Sequence, residues 1–235
     1  MNDFLTLLFR GRKVLLGRDF YQGRQVRRKR KTFGNRFAAW TFCPDSLSEE
    51  SVVYSFGVGS DVSFDLQLIK QYNLHIHAFD PSPGSITWVG EQELPGEFHF
   101  YPFGLSATDG QISFSEPVEP GIHSLFSSQT AEKAGEGLKQ HVLSVHRLST
   151  ILKKLGHQKI DILKMDIEGA EYEVIDDIIG LSVPVSQVLV EFHHRFAHIG
   201  LKRTREAISK LNQAGYKIFH VSASGEEFSF IKTDS

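Results

Sequence analysis

From about residue 37 the chain alternates between short apolar runs and stretches whose apolar positions recur three and four apart. Ser51 to Phe56 is a β-branched and aromatic run stopped by Gly57, which predicts a strand. Phe64, Leu68 and Tyr72 share a face with Leu66 and Ile69 beside it, so a helix is expected over 62–72. Leu74 to Phe79 predicts a second strand, stopped by Asp80-Pro81-Ser82-Pro83, and Phe98 to Phe103 a third, stopped by Gly104. Asp109-Gly110 is a turn pair ahead of a short strand over Gln111 to Phe114, and residues 116–137 read as a loop. His141 to Val145 is extended, and Leu148, Ile151, Leu152 and Leu155 are spaced for a helix. Lys159 to Met165 is a strongly apolar strand followed by a helix from Ala170 to Ile179. Gln187 to Phe192 predicts another strand and residues 201–214 another helix. Tyr216 to Val221 and Phe228 to Ile231 form a strand pair around the Ser224-Gly225 turn. Such alternation implies an α/β fold, a doubly wound and mostly parallel sheet of the Rossmann-like kind, with ligands at the carboxyl ends of its strands.

Composition agrees with one domain. The 235 residues are 40% hydrophobic and 23% charged, which excludes a disordered chain and a membrane bundle. A single cysteine, Cys43, excludes a disulfide framework and multi-cysteine metal sites, and fits a reducing compartment. The apolar run Leu5 to Phe9 is far shorter than the roughly 20 residues of a membrane helix. No small-residue cleavage site follows it. A cytoplasmic protein without a transmembrane segment is expected.

Charge divides the chain. Residues 1–36 carry a net +9 and the remainder −11. This predicts a basic N-terminal arm over 1–36 attached to an acidic globular domain over 37–235. Phe4, Leu8, Gly11 and Leu15 form only a weak stripe, interrupted by glycine, so the arm is expected to stay outside the core. Residues 10–36 offer contact to an anionic partner: nucleic acid, an acidic lipid surface or the acidic domain itself.

The strand ends carry the chemistry. After the first strand stands Phe56-Gly57-Val58-Gly59-Ser60-Asp61, with Val62 where a dinucleotide fingerprint has its third glycine. No Gly-Lys-Ser/Thr follows, so a phosphate-gripping loop is absent. Asp80 closes the second strand, where a carboxylate can accept hydrogen bonds from ribose hydroxyls. A ribose-binding acid beside a truncated phosphate loop points to a nucleoside cofactor without phosphates, of which S-adenosylmethionine is the commonest. Asp166 and Glu168 end the long apolar strand. Glu171 falls in the next helix's first turn, where the helix dipole alone accounts for it. Glu191 and His193 share one face at the end of the following strand, with His194 on the other and His198 nearby. His193 suits a general base, oriented by Glu191 and Asp166. The same three residues could instead hold a divalent cation.

The motifs VVYSFGVGSDVSFD (52–65), HAFDPSP (77–83), YPFGLSATDG (101–110), DILKMDIEGAEYEVI (161–175) and VLVEFHH (188–194) together resemble the FkbM-type S-adenosylmethionine-dependent methyltransferases. The resemblance implies a seven-stranded class I methyltransferase sheet with two antiparallel strands at its C-terminal end. It also implies methyl transfer to a hydroxyl of a sugar or small metabolite. It maps Gly57, Gly59 and Asp80 to cofactor binding and the Phe103-Gly104-Leu105 turn to the adenine side. The full cofactor set expected is Phe56, Gly57, Val58, Gly59, Ser60, Asp61, Asp80, Pro81, Gly104, Leu105 and Asp166. The first motif departs from the family's common Asp-x-Gly-Ala-Asn, which leaves the acceptor open. The competing reading is a nucleic-acid-associated protein, or an RNA-directed methyltransferase, that uses the basic arm.

Overall fold

The computed structural model describes residues 3–36, 38–115, 140–196 and 198–233. In chain order the elements are α1 (Asp3–Leu15), β1 (Lys31–Phe33), β2 (Trp40–Phe42), β3 (Val52–Phe56), α2 (Ser63–Tyr72), β4 (His75–Phe79) and α3 (Pro83–Gly90). There follow β5 (Phe98–Tyr101), β6 (Gly104–Leu105), β7 (Gly110–Ser115), β8 (Gln140–His146), α4 (Leu148–Leu155) and β9 (Ile160–Met165). The chain closes with α5 (Glu171–Ile179), β10 (Val185–Glu191), α6 (Gly200–Gln213), β11 (Tyr216–Val221) and β12 (Glu227–Lys232).

Seven strands form one sheet in the order β11-β12-β10-β9-β3-β4-β5. From β10 to β5 every pairing is parallel, whereas β12 runs antiparallel to both its neighbours. The two C-terminal strands are therefore antiparallel to each other, and only the last is reversed against the sheet, inserted between β11 and β10. All six residues of β9 are buried, as expected for a central strand covered on both faces. Helices α4, α5 and α6 cover one face, over Tyr54, Phe56, Leu163, Met165, Val188 and Val190. Helix α2, with Val89 of α3 and Trp40 and Phe42 of β2, covers the other, over Val53, Ile76, Ile162 and Leu189. The doubly wound layering follows from the sequence pattern.

Three features depart from that pattern. The Asp80–Pro83 stop is also a helix start: the Ser82 hydroxyl accepts from Ser85 N and Pro83 occupies the first turn of α3. The run Phe98 to Phe103 divides, because β5 ends at Tyr101 and Gly104–Leu105 leaves to pair with β8 in a small β6-β8-β7 sheet. The 116–137 loop lies outside the described residues, the strand β7 having ended at Ser115.

The N-terminal segment is the third. Phe20 is buried in the main core and stacks on Phe228, with centroids 6.3 Å apart. Burying one such ring contributes roughly 1.5–3 kcal/mol. Arg10 donates to the carbonyls of Phe20 and Ser222 at 3.2 and 3.3 Å. Its guanidinium lies so close over Gly225 that a Cβ there would stand 2.2 Å from Nε. Gln25 and Val26 donate backbone hydrogen bonds to Ile218 O at 2.7 and 3.1 Å, which closes the open edge of β11. Residues 19–33 thus join the body, contrary to the expectation that the segment stays outside the core. The composition concealed this because a few apolar residues, Phe20, Val26 and Phe33, and one buried aspartate anchor an otherwise basic stretch.

Candidate active site

The loop after β3 is fixed from two sides. Gly57 has φ +84°, and a Cβ there would fall 2.0 Å from Asp166 O, so only glycine lets the loop pass against the end of β9. Lys164, buried under the ring of Trp40 at 5.2 Å, donates from Nζ to Gly57 O at 2.8 Å. From the other side Asp80 Oδ2 accepts from Val58 N and Gly59 N, both at 3.0 Å, and from Ser85 Oγ at 2.9 Å. Its Oδ1 accepts from Ser82 N and Ser82 Oγ at 2.9 and 2.7 Å. Five donors fill the roughly four lone-pair sites of a carboxylate. Asp80 is therefore first a loop clamp, and a ribose hydroxyl reaches it by displacing the hydroxyl of Ser82 or Ser85.

The remaining members of the expected cofactor set divide. Phe56 is wholly buried and stacks on Phe79 at 4.4 Å; Val58 and Leu105 are likewise core residues. Gly104 packs against Pro81. Asp61 accepts from Ser63 N at 2.7 Å at the start of α2 and from Asn35 Nδ2 at 3.2 Å, and these bonds hold its carboxyl below the usual range against the opposing effect of burial. Ser60 is exposed, and Gly59, at φ +56°, faces open space. What the cleft presents is the backbone of 57–60 with Asp166 beside it.

Asp166, Glu191 and His193 do converge: one ligand atom from each lies within 4.8 Å of the others. The carboxylate that orients His193 is a different one. Glu171 is fully buried, accepts from His193 N at 2.9 Å and from Gly169 N at 2.8 Å, and stands 3.2 Å from His193 Nδ1. Nε2 of the same ring faces Glu168 at 3.3 Å and Asp166 at 3.7 Å. Burial works to lower the imidazole pKa, but the hydrogen bond and charge of Glu171, with Glu168 and Asp166, outweigh it and raise the value to about 9. His193 is thus a cation at neutral pH in the free protein, not the neutral base expected from its ordinary pKa. Burial, with Asp166 and Glu227 adding like charge, pushes Glu191 up to about 9. Burial raises Glu168 to about 7 despite the opposing pull of His193. Glu168 also holds φ +52°, a conformation rare outside glycine.

Sequence reasoning passed over Glu171 and Glu168. A first-turn glutamate is adequately explained by the helix dipole, so only its complete burial reveals the role. Glu168 stands directly before Gly169, and the positive φ of both residues is visible only in the structure. His194 turns the other way, to Asp19 Oδ1 at 3.5 Å and the ring of Phe20. His198 is not part of the metal-spaced group found among the described residues.

The FkbM methyltransferase domain matches residues 35–218. The chain belongs to this family. Among curated relatives, "Probable methyltransferase-like protein 24" of Homo sapiens is 25% identical over 200 residues, covering 77% of this chain and 47% of the relative. Its Rattus norvegicus counterpart is 23% identical over 205 residues, covering 80% and 49%. The chain spans about half the length of these relatives. A solved structure of Aeropyrum pernix fibrillarin with natively bound S-adenosyl-L-methionine overlaps at a TM-score of 0.37 and 10% identity, covering 78% of this chain and 66% of that one. The fold of this FkbM domain rests on its own sheet order and layering. No helix among the described residues is long and apolar enough to cross a membrane.

Proposed function

We propose that the chain is an S-adenosylmethionine-dependent methyltransferase that methylates a hydroxyl of a sugar or small metabolite. The observation that carries the reading is the crowd of carboxylates, Asp166, Glu168 and Glu191, set around His193 beside the Gly57 loop. Carboxyl groups at this edge, ionised or protonated like Glu191, can hydrogen-bond the hydroxyls of a nucleoside or an acceptor, and besides His193 they offer a pyrophosphate no counter-charge. The amides of Val58 and Gly59 are taken by Asp80, which fits a ligand without phosphates. When bound, S-adenosylmethionine supplies a methyl group already activated on a sulfonium. The protein's own task is to align the acceptor oxygen and receive its proton. Alignment contributes roughly 7–11 kcal/mol in well-oriented cases.

Within this reading Gly57, Gly59, Ser60 and Asp80 hold the cofactor, and His193, Glu191 and Asp166 hold the acceptor. Protonated His193 donates from Nε2, so it positions an oxygen. Glu168, which titrates near 7, is the group matched to taking a proton at neutral pH. Calorimetric titration with S-adenosylhomocysteine, followed by an acceptor screen across glycans, hydroxylated metabolites and RNA, tests the proposal. Saturable binding with methylation of a hydroxyl compound is the expected result. No binding overturns the cofactor, and methylation confined to RNA overturns the acceptor.

One observation favours a metal-assisted variant. Glu171 holds Nδ1 of His193 and leaves Nε2 toward the acids, the arrangement by which a carboxylate orients a metal-bound imidazole. Asp166, Glu191 and His193 would then hold a divalent cation that lowers the acceptor's pKa. Chelator followed by Mg2+ or Mn2+ readdition decides it: turnover indifferent to chelator removes this variant.

A further inference from the structure

Helix α1 is inverted. Its covered positions, Thr6, Arg10 and Val14, recur every fourth residue and centre on an arginine, while Leu5, Leu8, Phe9, Leu15 and Leu16 stand 45–89% exposed. At 100° per residue, Leu5, Leu8, Phe9 and Leu15 fall on one arc, with Arg12 inside it and Lys13 at its margin, while Leu7, 53% exposed, lies on the far side and Leu16 follows the helix end. Scattered exposed leucines need no explanation, but an apolar arc on the outer side of a helix whose covered side centres on an arginine does. Nor is the helix a loose tail. Arg10 binds the β11–β12 turn, and Asp19 accepts from Arg195 at 3.0 Å. Directly after it the chain exposes Arg18, Arg24 and the run Arg27 to Lys31. Arg28 and Arg30, with Thr32, Thr41 and His220, also line a cavity of about 420 Å3 whose donors suit a headgroup phosphate.

We propose that residues 5–31 dock the protein on an anionic lipid bilayer, with the apolar arc of α1 lying in the headgroup layer and the following cations against the lipid phosphates. An apolar stripe with basic flanks is the pattern of a helix lying in the interface, and 13 residues are too few to span a bilayer. Nucleic acid would use the cations but leave the leucines uncovered, and the run Arg27 to Lys31 contains no aromatic on which a base could stack. The two signals reinforce each other. A modest apolar insertion alone is reversible, and each basic residue near an anionic surface strengthens binding about fivefold.

The test is co-sedimentation of the full chain with phosphatidylcholine vesicles, with and without phosphatidylserine, beside a single-stranded RNA oligomer. The wild type should bind the phosphatidylserine vesicles and bind pure phosphatidylcholine weakly. Leu8→Glu with Phe9→Glu should weaken binding at least about tenfold, and Arg27→Glu, Arg28→Glu and Arg30→Glu together by about 100-fold. All these side chains are exposed, so an unchanged thermal midpoint verifies folding of each variant. Equal binding to both vesicle types, or wild-type vesicle binding by the Leu8/Phe9 variant, overturns the proposal. So does tight RNA binding by a protein that ignores the vesicles.

Discussion

His77 and His193 sit at different ends of the same sheet and are driven to opposite charge states. Near the amino ends of β4 and β5, His77 packs between the rings of His157 at 4.6 Å and His99 at 5.2 Å, and meets Tyr101 Oη at 3.2 Å. His75 Nδ1 lies 2.8 Å from His99 Nε2, and His157 Nδ1 lies 2.8 Å from Tyr54 Oη. Burial, with the neighbouring imidazoles adding like charge, drives His77 down to about 3. Just past the carboxyl end of β10, His193 is more deeply buried than His77, yet three acids carry it up to about 9. Burial sets the cost of charge, and the neighbours decide whether it is met.

The strongest way to break the comparison is at turnover. His193→Ala should lower kcat by about 10²–10⁴-fold, the range for a residue handling the transferred proton or the acceptor oxygen. His77→Phe should leave it nearly unchanged, measured by methyl transfer to whichever acceptor the screen yields. Equal losses would mean that both clusters serve only the fold.

A third histidine sharpens the rule. His194 has one acid nearby, Asp19, and burial still lowers its pKa. One carboxylate is not enough, because Asp19 is shared with Arg195 and lies close to Arg10. Asp19→Ala leaves those cations without their buried partner and should cost about 3 kcal/mol. At roughly 2–4 °C per kcal/mol for a chain of this size, the thermal midpoint should fall by about 6–12 °C. A fall of that size would also confirm that residues 19–33 belong to the body.

The two clusters should bend the stability–pH curve in opposite directions. His77 has a folded pKa below its unfolded value of 6.5, so its unfolded form binds the extra proton and stability falls as pH drops from about 6.5 toward 3. His193 has a folded pKa above 6.5; its contribution is complete below that value and is lost as pH rises through about 9. Glu191, with a folded pKa near 9 against 4.5 unfolded, contributes stability that is complete below about 4.5 and declines from there to about 9. It therefore offsets part of the His77 rise and adds to the loss above 6.5. Denaturant titrations across pH should therefore lose their acid limb in His77→Phe. In Glu171→Gln the alkaline limb should move to lower pH. Unaltered limbs would show that neither imidazole is the group titrating.

The large apolar periods made most of this legible. The strands from Val52 to Phe56 and Ile160 to Met165 are read directly from their apolar runs, and the motifs at their ends locate the cleft. What escaped were features set by single residues in tertiary context. The pair β1–β2 is only three residues long on each side, and Ser82-Pro83 ends one pattern while starting a helix. Phe20 and Asp19 look unremarkable within a basic stretch until Phe228 and Arg195 are placed against them. The site followed the same logic. Asp166, Glu191 and His193 were found by alternation on adjacent strands, whereas Glu171 is distinguished from any helix-start glutamate only by its burial.

The smallest effect is the most pointed. Glu168 keeps a left-handed backbone that costs a non-glycine residue about 1–2 kcal/mol, and its carboxyl stands among Asp166, Glu171 and Asp80. If strain and like-charge crowding bring nothing to the fold, they persist at this position for what the side chain does beside His193. Glu168→Gly relieves both and should raise stability by about 1 kcal/mol, or about 2–4 °C in thermal midpoint, while turnover drops. A loss of stability would give the other answer. The pairing of Glu168 with His193 Nε2 at 3.3 Å would then outweigh the strain, and this end of the sheet, like the His77 end, would be organised for the fold before it is organised for chemistry.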